Sequence, residues 1–242
     1  MKLILSGGGI GDKCNTTYLQ FAKEVKGGKV LFIPFANDEQ SPSEAFDWFK
    51  NEVARFNITD IELAKSPKDI TKEYLSKFKG IYFSGGNTFL LLSLIKENNL
   101  FDIFQQFFNE DIVVMGCSAG ASVFSKDINS VLRDEFKIIA TDKNYVQLID
   151  TRGFNRIKGY CTFVHYKLSE KQFDLTEQKV QKLLSQGFKL FCIPEESSVV
   201  VENNIFKVIG EKSVEIISKD KRFSVLPNQT FSIEDEEERE NV

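Results

Sequence analysis

Histidine is almost absent from this chain: among 242 residues there is one, His165. Chemistry that needs an imidazole must use that residue, and a metal site built from several histidines is excluded. Cysteine is sparse as well. Cys14, Cys117, Cys161 and Cys192 stand far apart, with no CxxC pair and no metal-ligand spacing, so they read as free thiols of a reducing compartment. No apolar run is long enough to cross a bilayer, and the stretch 1–6 meets glycine too soon to serve as a signal peptide. The expected location is cytoplasmic. Positive charge is not in excess: a net charge of -4 offers no electrostatic reason to bind nucleic acid or an anionic membrane. No internal repeat is visible.

What the chain does contain points to an α/β domain. Its 23 phenylalanines can fill a sizeable core, and the length suits one domain over 1–232 with an acidic, disordered tail over 233–242. Residues 29–35, Lys-Val-Leu-Phe-Ile-Pro-Phe, form a near-continuous apolar run, the mark of a strand covered on both faces in a parallel sheet. Ser41-Pro42-Ser43-Glu44 then combines a capping serine, a proline at the first helical position and a glutamate at the third. The helix it opens places Ala45, Phe46, Phe49, Val53 and Phe56 near one stripe, with Trp48 off it as a surface or groove residue. A peripheral strand is expected over 58–63, a helix over 68–78, strands over 80–84 and 113–117, and loops with short strands over 125–160. Residues 162–166 form a strand ending near His165; 174–186 form a helix with Val180, Leu183 and Leu184 inward. A strand over 188–193 precedes a hairpin that turns at Glu202-Asn203-Asn204.

Three glycine-rich stretches follow strands. Gly7-Gly8-Gly9-Ile10-Gly11-Asp12 lacks the third glycine of a dinucleotide loop and the Gly-Lys-Ser/Thr of a Walker loop, so it reads as a loop bordering a cleft. Gly85-Gly86-Asn87-Thr88-Phe89 turns from a strand into a helix, with Asn87 or Thr88 as cap, and turns its backbone N–H groups toward the crevice where open α/β sheets bind ligands. Gly116-Cys117-Ser118-Ala119-Gly120 is a G-x-S-x-G elbow that projects a serine hydroxyl from a tight strand-to-helix turn. A serine needs a base, and His165 is the histidine available. A carboxylate should orient that imidazole; Asp134, Asp142, Asp150, Glu195 and Glu196 are all candidates by residue type.

Taken together, Gly85-Gly86-Asn87-Thr88-Phe89, Gly116-Cys117-Ser118-Ala119-Gly120, Val164-His165-Tyr166 and Ile193-Pro194-Glu195 resemble, in order and spacing, the peptidase E and cyanophycinase family of serine peptidases. The resemblance spans nearly the whole chain. It implies a fold like that of class I glutamine amidotransferases: a flavodoxin-like three-layer sandwich, a mostly parallel sheet with helices on both faces, here with a C-terminal β-hairpin. It implies Ser118 as nucleophile, His165 as base, and an oxyanion hole at the backbone N–H groups of Gly86 and Ala119, with Asn87 beside it as a substrate-binding residue. Cyanophycinases place the triad acid where Glu195 falls, whereas aspartyl dipeptidases use an aspartate between serine and histidine, for which Asp142 is the alternative, with Asp134 behind it. Dipeptidases of the family that demand an N-terminal aspartate read it with an arginine where this chain has Thr176, so strict aspartate specificity is not expected.

The expected activity is hydrolysis of a small peptide or isopeptide bond through an acyl-enzyme, without metal or organic cofactor, in a monomer or homodimer. An amidotransferase reading would use Cys117, which sits one place before the apex and should face away from the crevice. An ordinary α/β-hydrolase has no need of the Gly85-Gly86-Asn87 turn. A ligand-binding or regulatory protein on the same fold, its serine chemistry unused, is the alternative from another functional class.

Overall fold

The computed structural model describes residues 1–37, 40–138, 140–167 and 169–233. The tail expected over 233–242 lies outside the described residues from Glu234 onward.

Five parallel strands form the centre: β1 (Lys2–Ser6), β2 (Val30–Ile33), β3 (Ile61–Leu63), β4 (Gly80–Phe83) and β5 (Val113–Cys117), in the order β1-β5-β4-β2-β3. Helices α1 (Asn15–Val25) and α2 (Pro42–Ala54) cover one face. Helices α4 (Thr88–Glu97) and α5 (Leu100–Phe107) cover the other, after the short α3 (Lys72–Leu75). Strand alternation divides the core accordingly. Leu31, Ile33, Ile81 and Phe83 pack toward α4 and α5, whereas Val30, Phe32 and Tyr82 pack toward Tyr18, Phe21, Phe49 and Val53 of α1 and α2. Each of these side chains is essentially fully buried, a contribution of about 1.5–3 kcal/mol apiece before entropy is counted. The peripheral strand expected over 58–63 is β3, half-buried at the sheet edge.

The remaining strands complete two sheets. Strands β8 (Ser197–Glu202), β9 (Ile205–Gly210) and β12 (Thr230–Ser232) extend the first sheet antiparallel from β1 to eight strands. The expected hairpin is β8–β9; Glu202 pairs with Ile205, and Asn203 and Asn204 both take positive φ, as a two-residue type I′ turn requires. A second, four-stranded sheet is built from β6 (Cys161–Val164), β7 (Leu190–Ile193), β10 (Val214–Ile217) and β11 (Arg222–Val225) in the order β11-β10-β7-β6. Helix α7 (Phe173–Ser185) packs on it through Val180 and Leu183, with Leu184 partly buried. The separation into two sheets has no counterpart in local sequence pattern, because it depends on which strands β7 and β8 choose as neighbours.

The helix expected over 68–78 is corrected. Pro67–Asp69 forms a single 3₁₀ turn, Ile70 is extended (φ −84, ψ 114), and α3 spans four residues. The Ser66 hydroxyl accepts from Lys68 N, and the Thr71 hydroxyl from Tyr74 N, so two local caps interrupt what apolar spacing alone reads as continuous. The capping box at the start of α2 is present in full: Ser41 Oγ accepts from Glu44 N, and Glu44 accepts from Ser41 N. Among the described residues no helix is long and apolar enough to cross a membrane.

Candidate active site

The carboxyl ends of β1, β4, β5, β6 and β7 meet at one edge, and five short stretches converge there. Ser118 follows β5 with φ 52 and ψ −111, a strained conformation for a residue with a side chain, and leads into the four-residue helix α6 (Ala119–Ser122). The flanking glycines are there for close approach. A Cβ on Gly116 would lie 2.2 Å from the Gly120 carbonyl oxygen, and one on Gly120 would lie 2.2 Å from that of Phe83. No side chain fits either position unless backbone moves.

Ser118 Oγ lies 2.8 Å from His165 Nε2, and His165 Nδ1 lies 2.7 Å from Glu195 Oε1. With Nδ1–H donating to the carboxylate, Nε2 is the acceptor for the serine O–H. The hydrogen bond from His165 holds the Glu195 carboxyl below its ordinary range; burial opposes this, and Lys13, whose Nζ is 2.6 Å from Oε2, reinforces it. His165 N also donates to Gly7 O at 2.9 Å, so the loop after β1 straps the histidine in place.

That loop is the contribution sequence reasoning left unspecific. Gly8, at φ 97, passes so close that a Cβ would stand 2.4 Å from His165 Cε1 and 3.0 Å from Ser118 Cβ. The run of glycines was visible; its partner His165, far along the chain, was not. Lys13 belongs to the same oversight, since 182 residues separate it from Glu195.

The Gly85-Gly86 turn faces the serine. A Cβ on Gly85 would lie 3.5 Å from Ser118 Cβ, and Gly86, at φ 135, leaves no room for one because Ala36 O would be 2.1 Å away. Ala119 begins α6, so its N–H is among those a helix cannot satisfy internally. Asn87 and Asp142 stand beside this turn with partners of their own. Asn87 is occupied as a cap: its Oδ1 accepts from Leu90 N at 3.0 Å and its Nδ2 donates to Lys143 O at 2.9 Å. It borders the adjoining groove with Arg133, Lys143 and Tyr145 rather than the cleft holding Ser118. Asp142 does not serve His165; its Oδ2 accepts from Thr88 N at 2.9 Å and from Thr88 Oγ1 at 2.6 Å. Burial pushes the Asp142 carboxyl above its ordinary range, against the pull of those bonds.

Two further candidates are engaged elsewhere. Asp134 receives Lys179 at 2.8 Å and Lys182 at 3.0 Å, and Asp150 pairs with Arg152 and Lys96. Thr176 is buried within α7. Cys117, expected to face away from the crevice, instead borders the cleft, but burial pushes its thiol above the ordinary range, leaving it a neutral neighbour of the apex serine. Among the described residues no group of three or more His, Cys, Asp or Glu is placed to hold a metal ion.

The cleft over Ser118 and His165 encloses about 420 Å³, the size of a few residues of peptide rather than of a folded protein. The model of peptidase family S51 matches residues 3–209. Peptidase E of Actinobacillus pleuropneumoniae serotype 5b is 32% identical over 223 residues, covering 88% of each chain. Peptidase E of Haemophilus influenzae strain PittGG is 25% identical over 231 residues, 90% of this chain and 94% of that one. The crystal structure of a peptidase from an acI-B1 Actinobacterium superposes with a TM-score of 0.71 at 19% identity, covering 96% of both chains, and so shares the fold. On the family match and these relatives, the chain belongs to peptidase family S51 and is a serine peptidase.

Proposed function

We propose that the protein hydrolyses small peptide or isopeptide bonds through an acyl-enzyme, with Ser118 as nucleophile, His165 as general base and Glu195 as the acid that orients it. The observation that carries this reading is the unbroken chain of contacts from Ser118 Oγ through both ring nitrogens of His165 to Glu195. As Ser118 Oγ attacks the carbonyl carbon, His165 Nε2 takes its proton, and the carboxylate stabilises the resulting imidazolium. The carbonyl oxygen becomes an oxyanion that the N–H groups of Gly86 and Ala119 receive. Each such donor is typically worth about a hundredfold or more in rate. His165 returns the proton to the departing amine, then activates a water that releases the acyl group from Ser118.

The pairing of Asp134 and Asp142 with other groups supports Glu195 as the acid. Threonine rather than arginine at position 176 supports relaxed rather than strict aspartate specificity. The partners of this reading are small peptides, with no nucleic acid and no membrane, and four buried free thiols suit a cytoplasmic location. Turnover of a dipeptide and isopeptide library by the full chain tests it. Ser118→Ala and His165→Ala should each lower kcat/KM by about 10⁴-fold or more, and turnover that survives Ser118→Ala overturns the reading.

A further inference from the structure

The cleft above Ser118 has an apolar flank. Phe32 of β2, Tyr82 of β4, Ala45 and Trp48 of α2 and Ile10 of the glycine loop all border it. Phe32, Tyr82 and Ala45 are buried, yet Ile10 is 67% and Trp48 39% exposed. Two large apolar side chains left in water at the mouth of a cleft gain most when an apolar ligand covers them.

The charges point the same way. Among the described residues bordering this cleft there is no lysine or arginine, and apart from His165 the ionisable carboxyl there is Asp142. An acidic side chain entering the cleft would meet the Asp142 carboxyl and no lysine or arginine on the cleft wall itself, the Arg133 charge acting on Asp142 from the neighbouring groove that shares Gly85, Gly86 and Asp142. Arg133 and Lys143 border the adjoining groove beyond Gly86, where Arg133 directs Nε and Nη2 to the Thr141 carbonyl oxygen at 3.0 and 2.6 Å.

We infer that the cleft selects substrates with an apolar side chain, branched or aromatic, beside the scissile bond and discriminates against an acidic one, with Ile10, Ala45 and Trp48 as specificity-determining residues. The inference rests on Ser118 being the nucleophile. Ala45 is the smallest side chain of the flank, so enlarging it takes up room that a bulky substrate needs, while shortening Trp48 removes surface for that substrate to cover.

Matched dipeptides and isopeptides carrying Asp, Ala, Leu or Phe on either side of the scissile bond provide the test. At one of the two positions, Phe or Leu should exceed Asp in kcat/KM by about tenfold or more, the range hydrophobic pockets achieve. Ala45→Leu and Trp48→Ala, each checked for cooperative thermal unfolding, should both lower the ratio of Phe to Ala substrates by about fivefold. Asp substrates equal to or better than apolar ones, or ratios unchanged in both variants, overturn the inference and leave Ser118 as nucleophile if Ser118→Ala abolishes turnover. Protection of Ser118 from a fluorophosphonate gives a readout independent of turnover. Phe dipeptides should protect at lower concentration than Asp dipeptides; equal or absent protection of a labelled Ser118 overturns the specificity alone, whereas failure to label Ser118 removes the catalytic reading and this inference with it.

Discussion

Ser118 and the Gly85-Gly86 turn follow β5 and β4 of the eight-stranded sheet, whereas His165 and Glu195 follow β6 and β7 of the four-stranded one. On the large sheet the geometry is held by close packing of backbone: Gly86, Gly116 and Gly120 each have a carbonyl oxygen within 2.2 Å of where a Cβ would be. On the small sheet it is held by hydrogen bonds between side chains, His165 to Glu195 and Glu195 to Lys13, with backbone at Gly7 joining the two halves. A site held by sterics tolerates no added atom, whatever its polarity. One held by charged hydrogen bonds tolerates a change of shape better than a change of charge.

An isosteric change on the small sheet isolates charge. Glu195→Gln keeps the side-chain volume but removes the carboxylate, and it should lower kcat by about 10⁴-fold while leaving the unfolding midpoint near that of the wild type. The paired control is Asp142→Asn, which weakens the brace on Thr88 and should retain most of kcat. If Asp142→Asn is the more damaging of the two in steady-state kinetics, the acid has been assigned to the wrong element.

A methyl group at the seam isolates sterics. Gly8→Ala carries no charge, but its Cβ would meet His165 Cε1 at 2.4 Å in a backbone conformation, φ 97, that alanine resists. Displacing the imidazole by the order of an ångström should cost about 10²-fold in kcat, with KM much less affected. A variant with normal kcat would show that the histidine side of the site has more freedom than its packing implies.

The same division explains which features were legible before the fold was known. Backbone crowding forces glycine locally, so the elbow around Ser118 and the Gly85-Gly86 turn could be read from a few consecutive residues. The Ser41 cap and the Asn203-Asn204 turn are local for other reasons: the cap is a pair of hydrogen bonds spanning three residues, and the turn needs positive φ at two consecutive ones. Side-chain pairing leaves no such trace: Asp142 meets Thr88 across 54 residues and Glu195 meets Lys13 across 182. Physical reasoning therefore left five carboxylates open, and only the family resemblance favoured Glu195. The cap role of Asn87 is local as well, since its Oδ1 accepts from Leu90 N three residues on. The split into two sheets is not legible because it turns on the pairing of β7 with β6 and β10, and of β8 with β1, strands far apart in sequence.

Lys13 is where the hydrogen-bonded side can be sharpened by degrees. Its ammonium hydrogen-bonds Glu195, which raises the lysine above its ordinary range and helps hold the carboxyl below its own. Lys13→Met leaves Glu195 Oε2 without the ammonium and His165 as the remaining side-chain partner of the carboxylate. At neutral pH kcat/KM should fall, but by no more than about threefold, because this lysine is half-exposed and solvent screens its charge. Lys13→Arg should restore the wild-type value. A kcat/KM that is unchanged in Lys13→Met would reduce Lys13 to a surface contact.

The smallest expected effect on catalysis comes from the charged pair that most resembles the Glu195–Lys13 pair but stands away from the cleft. Asp134 accepts from Lys179, whose side chain is 3% exposed, and from Lys182. Burial works against the carboxylate, yet the two lysines hold Asp134 below its ordinary range. Its contribution to stability is therefore present above the unfolded carboxyl value of about 3.9 and is lost as pH falls through the lower folded value. Asp134→Asn leaves Lys179 with the Leu132 carbonyl oxygen as its remaining partner, a loss of about 2 kcal/mol in urea unfolding at pH 7. That difference should shrink as the pH is lowered past 4, while kcat/KM of the folded variant stays at the wild-type value. Activity lost at unchanged stability would move Asp134 into the catalytic group and break the distinction between a pair that holds the fold and one that holds the base.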